Sequence, residues 1–132
     1  RVKNAISDAI DIDFSNIKID SINVYEAGND CLDVSGGNYS LVSLSLSRCG
    51  DKGISVGEKS NLKANNVIIN TASIGVSSKD LSETVIKKGN FVGITNCYEA
   101  AQKKQEFGGA KLMFGNLLCD GGFIKDDQSI IN

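Results

Sequence analysis

The stretch GNDCLDVSGG (Gly28–Gly37) is answered further along the chain by CGDKGISVGE (Cys49–Glu58). In each, glycine and an acid precede a short apolar–polar alternation: Leu32-Asp33-Val34-Ser35 in the first, Ile54-Ser55-Val56-Gly57 in the second. Alternation with period two marks a strand with one buried face, because successive side chains point to opposite sides. The apolar positions are kept between the copies while Asp33 becomes Ser55, as expected where the second residue faces outward and the core imposes no identity. Two such strands at a fixed interval are a repeat, and a repeat decides the fold.

Working outward, Ile10, Leu32, Ile54 and Val76 fall at a constant step of 22, and Ala101 follows after a step of 25. A small residue precedes each (Ala9, Cys31, Gly53, Gly75, Ala100) and a polar one follows (Asp11, Asp33, Ser55, Ser77, Gln102). A second apolar set recurs later in each block: Ile19, Ile22 and Val24; Leu41, Leu44 and Leu46; Ala64, Val67 and Ile69; Gly89, Val92 and Ile94. Turn-formers such as SN, SGGN, EKSN and KKGN separate the two sets. No helical period of 3.6 appears. One such block cannot bury its own apolar column, but blocks stacked at strand spacing, about 4.8 Å, make a continuous core and pair backbone from rung to rung.

These columns resemble the right-handed parallel β-helix superfamily, whose best-known members are pectate lyases and related polysaccharide-acting proteins. The resemblance covers Ser7 to Cys119 and implies an all-β solenoid of about five rungs of about 22 residues. The segments SSKD (Ser77–Asp80) and AAQKKQEFGGA (Ala100–Ala110) are similar to β-helical modules of larger bacterial surface or envelope proteins, which implies an exported host. That match carries no catalytic residue.

Residues 1–132 read as a single domain, with recognisable rungs over 7–119 and a partial rung or cap over 120–132. The chain is expected to be a piece of a longer protein, its open coil ends covered by neighbouring domains or by self-association. The charged run SKDLSETVIKKGN (Ser78–Asn90) is expected to protrude as a loop.

Composition narrows the chemistry. With no His, Pro or Trp, a net charge of −2 and few aromatics, the chain lacks the commonest general base and zinc ligand, and the best flat platform for a sugar. No clustered basic surface points to nucleic acid. No apolar run is long enough to insert in a membrane.

Three groups of residues carry candidate functions. Asp11, Asp13, Asp30 and Asp33 lie on or beside the outward column, with Asp11 stacked on Asp33. Carboxylates that close repel unless a cation, a donor or a shared proton intervenes, which makes them candidate Ca²⁺ ligands; the competing reading is a solvated acidic ladder neutralised by Lys18 or Lys52. Glu58, Lys79, Asp80, Lys103, Lys104 and Glu106 form a mixed-charge strip, with Lys79 aligned to Lys104 and Glu58 to Asp80. This strip is a candidate polysaccharide contact, or a plain salt-bridge ladder. Were Lys79 or Lys104 the base of a β-elimination its pKa would have to be low, whereas Asp80 and Glu106 favour the charged form. Phe14, beside the Asp column, and Phe107, within KKQEFGG, are candidate platforms for a sugar, the competing reading for most of the aromatic residues being core or turn packing.

Cys49 and Cys97 read as small core fillers, while the one-rung separation of Cys97 and Cys119 places them within reach of a vertical contact or disulfide. The leading expectation is a non-catalytic scaffold that touches carbohydrate and requires no cofactor. A Ca²⁺-dependent lyase-like or epimerase-like enzyme, and a self-assembling shaft or adhesin segment, are the alternatives.

Overall fold

The structure, a computed structural model, describes all residues from Arg1 to Asn132. It contains eleven strands and no helix: β1 (Val2–Ala5), β2 (Ile10–Asp13), β3 (Asn16–Ala27), β4 (Leu32–Ser35), β5 (Asn38–Cys49), β6 (Lys52–Gly57), β7 (Asn61–Lys79), β8 (Glu83–Ala101), β9 (Lys111–Leu118), β10 (Gly122–Lys125) and β11 (Ile130–Ile131). Every strand pairing is parallel. One face stacks β1, β3, β5, β7, β8 and β9. The other stacks β2, β4, β6, the later part of β7, the later part of β8, and β10. The molecule is therefore a parallel β-solenoid of about six turns.

The repeat read from the sequence is its register. Ile10 lies opposite Leu32, Leu32 opposite Ile54, and Ile54 opposite Val76. These side chains line the interior with the columns Val24, Leu46, Ile69 and Ile22, Leu44, Val67, nearly all of them buried. Where an inward column loses volume, its neighbour regains it. Gly89 stands opposite Val67, and Leu117 of the next turn together with Phe91, two residues on, fills the space a side chain at Gly89 would take.

The register departs from expectation in the later turns. Val76 pairs with Tyr98, not Ala101, and the set following Ala64, Val67 and Ile69 is Ile86, Gly89 and Phe91, not Gly89, Val92 and Ile94. Ser78–Asn90 does not protrude. The chain reverses in a tight turn at Asp80 and Leu81, both left-handed (φ 53° and 64°), and continues directly into β8. The extra residues lie one turn later, where Glu83 pairs with Lys111 and residues 102–110 form the excursion. At this irregularity the inward column becomes polar: Ser78 replaces the valine of earlier turns, and its buried hydroxyl lies 2.7 Å from Ser82 Oγ, accepts from Thr84 and donates to the Lys111 carbonyl. Buried hydroxyls cost little when so paired.

Two corner columns bend each turn. Phe14, Gly36, Glu58 and Asp80 all have positive φ (48°, 60°, 51°, 53°), as do Asn4, Glu26, Arg48, Thr71 and Gly93 (55°, 69°, 55°, 69°, 69°). Only two of these nine are glycine, although a left-handed backbone disfavours most other side chains.

All four cysteines are bridged. Cys31 pairs with Cys49 within one turn, and Cys97 with Cys119 between turns. Cys49 and Cys97 are thus not free fillers, although both remain in the core. The terminal segment Phe123–Asn132 supplies most of β10 and all of β11, a partial last rung.

Candidate functional site

Along the face made by β4, β6, β7 and β8, the outward column reads Asp33, Ser55, Ser77, Glu99. Outward residues of a solenoid are ordinarily wet, yet Ser55 and Ser77 are fully buried. A side chain of the neighbouring column engages one of them, and the next member of their own column engages the other. Lys79 reaches back to donate to Ser55 Oγ (3.0 Å), and Ser77 donates to Glu99 Oε1 (2.5 Å). Beside them opens a cleft of about 360 Å³, its lining including Asp51, Lys52, Lys79, Glu99, Gln102 and Lys103.

The lysines of this cleft are not equivalent. Lys52 is ion-paired with Asp51 and lies 3.9 Å from Asp30. Burial would lower its pKa, but the hydrogen bond it donates to Asp51 and the nearby carboxylates outweigh burial and raise it. Lys79 enters none of the five ion pairs of the molecule. Burial, reinforced by the charges of Lys52 and Lys103 and only partly offset by Asp33 and Asp30, holds its pKa below the ordinary lysine value. Three ammonium groups thus face two carboxylates, with Lys79 and Lys103 unpaired.

The mixed-charge strip is divided. Lys79 pairs in register with Ala101 rather than with Lys104. Asp80 does not hold Lys79 protonated: its carboxylate is buried and accepts the backbone N–H groups of Lys103 and Lys104 (2.6 and 2.8 Å), anchoring the start of the excursion. Lys104 pairs instead with Glu58, whose hydrogen bond raises the lysine pKa. Glu106 sits exposed on the excursion without an ion pair. Lys79 and Lys103 therefore belong to one cleft, while Glu58 and Lys104 belong to the adjacent corner.

Among the aspartates, Asp11 does lie opposite Asp33. Its pKa is raised, by desolvation first and then by the charges of Asp13, Asp33 and Asp8. Asp13 accepts from the Ser35 hydroxyl, and Asp30 accepts the Lys52 N–H at 3.0 Å. Asp8, one turn before Asp30, likewise accepts the Asp30 N–H at 2.9 Å. Asp8 and Asp30 are turn caps repeated at the rung interval. No three acidic or sulfur side chains converge as the ligands of one metal ion.

Sequence reading missed the sequestered serines Ser55 and Ser77. Their column at step 22 was visible, but their burial depends on Lys79 folding back across them. It also missed an amide ladder on the opposite face, where Asn38 donates to Asn16 (2.8 Å) and Asn61 to Asn38 (3.0 Å); the spacing of three asparagines at nearly one rung was the available signal. Comparison with known proteins gave no match to a family model, a curated protein or a solved structure.

Proposed function

We propose that this chain is a non-catalytic β-solenoid module of a larger, exported bacterial protein, and that its lysine-lined cleft contacts an anionic saccharide. The observation that carries this reading is the ammonium of Lys79, half-buried, bonded to a serine hydroxyl and in none of the ion pairs of the molecule. Partial burial of a charge without an ion-pair partner carries a cost, and an incoming carboxylate or sulfate relieves it. Lys103 stands at the same cleft to meet a second acidic group. Stacked turns repeat outward positions at about 4.8 Å, which suits a polymer lying along the axis. The two disulfides are compatible with an oxidising, extracytoplasmic setting, and no helix is long and apolar enough to cross a membrane.

The test is calorimetric titration of the chain with oligogalacturonate, taken as a representative acidic saccharide, and with a neutral oligosaccharide. Binding of the acidic ligand, weakened by salt and at least tenfold by Lys79→Met, supports the reading. No binding to any member of an acidic glycan panel removes the saccharide contact and leaves the scaffold.

The lowered pKa of Lys79 favours one second reading, a lyase. Its neutral amine would take the C5 proton of a uronate, the C–H electron pair would form the C4–C5 double bond, and the C4–O bond would break with a proton delivered to the leaving oxygen by water. Ultraviolet absorbance of unsaturated product appearing with time, and abolished by Lys79→Met, is the expected signature. Its absence with tight-binding polymer dismisses this reading alone.

A further inference from the structure

We infer that the corner between the two faces carries a second cleft, which receives an uncharged pyranose unit between the rings of Phe14 and Phe107. The inference borrows its ligand class from the saccharide reading above but uses none of the residues of the lysine cleft. Phe14 and Phe107, far apart in the sequence, border one cavity of about 450 Å³ with Gly36, Gly37, Asn38, Glu58, Lys59 and Asn61. That volume lies in the range of about 300–1,000 Å³ typical of small-ligand pockets.

Phe14 is the residue least explained by stability. Its corner position demands a left-handed backbone, which elsewhere in the column is met by glycine, glutamate and aspartate. A bulky ring there is strained, and the ring is 78% exposed, so core burial does not offset the strain. The ring approaches the next turn so closely that a Cβ on Gly36 would stand 2.5 Å from its Cδ1 and Cε1, so Gly36 keeps the space that Phe14 occupies. Opposite, Phe107 is steadied by the Lys59 ammonium 5.6 Å from its ring centre.

Of the charges at this cleft, Glu58 is paired with Lys104, and Lys59, in no ion pair, lies over the Phe107 ring. The polar groups left over are amides. Each of Asn38 and Asn61 spends one N–H on the ladder, which leaves the other N–H free, and Asn61 Oδ1 receives no protein donor. Aromatic rings for C–H patches, neutral amide donors and acceptors for hydroxyls, and a single carboxylate that is already paired together fit a neutral sugar ring.

Saturation-transfer NMR with cellotetraose, mannotetraose, xylotetraose and galactotetraose tests this directly. At least one should bind, with affinity reduced fivefold or more by Phe14→Ala and by Phe107→Ala, retained in Phe14→Tyr, and unchanged in Lys79→Met. Circular dichroism confirms that each variant folds. Binding that survives both alanine variants, or no binding to any of the four, overturns the inference. Loss of acidic-ligand binding in Lys79→Met with neutral-ligand binding intact separates this cleft from the other, so each reading fails on its own data.

Discussion

Removing the two disulfides one at a time should produce losses of similar size but different reach. Cys31–Cys49 closes a loop of 18 residues and Cys97–Cys119 one of 22. Loop-closure entropy gives about 3 kcal/mol for each, with about 0.2 kcal/mol between them, because the dependence on length is logarithmic. In a solenoid each turn contacts only its neighbours, so location decides where the loss appears. Cys31 and Cys49 sit in the second turn, with paired turns on both sides. Cys119 joins β8 to the link between β9 and β10, beyond which only β10 and β11 follow. Cys31→Ala/Cys49→Ala should lower the urea-extrapolated stability by about 3 kcal/mol and weaken amide protection through the neighbouring turns. Cys97→Ala/Cys119→Ala should strip protection from Lys111–Ile131 while leaving the Val24, Leu46 and Ile69 column protected. Urea unfolding followed by circular dichroism, with hydrogen exchange read by mass spectrometry, measures both. A double variant within 1 kcal/mol of the parent, or uniform loss of protection from the second pair, would refute the reasoning.

Three further outcomes follow from the geometry. Thr71 is a β-branched residue at φ 69°, below Gly93 at the same corner; Thr71→Asn should raise stability by about 0.5–1 kcal/mol in thermal unfolding, since asparagine tolerates that region better. Gly75→Ala should cost about 1–3 kcal/mol, because the new Cβ would stand 2.4 Å from the Cys97 carbonyl oxygen. Lys79 binds fewer protons folded than unfolded between its lowered folded value and the ordinary 10.5, so stability should rise with pH across that window. Lys79→Met should abolish that slope and be no less stable than the parent at neutral pH. Asp30 is raised chiefly by burial, so its contribution runs the other way, full below 3.8 and lost as pH rises through the folded value. Stability against pH for Lys79→Met and Asp30→Asn distinguishes the two.

The early turns were legible because Leu32, Ile54 and Val76 carry large apolar side chains at a constant step, and the interior accepts little else. The later turns misled for a physical reason. Gly89 points inward without a side chain to announce it, while Val92 is apolar but 57% exposed, so the pattern seemed shifted by three residues. That error moved the extra residues one turn early and paired Lys79 with Lys104. Cys31–Cys49 was hidden because it joins two positions of the same turn, an interval the rung period does not mark. The corner columns escaped notice because glutamate, arginine and phenylalanine occupy backbone positions where a reader looks for glycine. Phe14 and Phe107 were each visible as rings, but only the excursion over 102–110 brings them to one cavity.

The register has a corollary for changes in chain length. An insertion or deletion that matches a whole turn returns every later side chain to its own face, whereas a shift of one residue inverts a strand. Between Leu32 and Val76 one added residue is already taken up at the corner of Glu58 and Lys59, both left-handed, since Leu32 pairs with Ile54 and Ile54 with Val76 at a step of 22 while Leu46 pairs with Ile69 at 23. The excursion over 102–110 takes up several more residues at a later corner, where Glu83 pairs with Lys111. Because Phe107 rides on that segment, variation in length there would retune the corner cleft while leaving the shaft beneath it untouched.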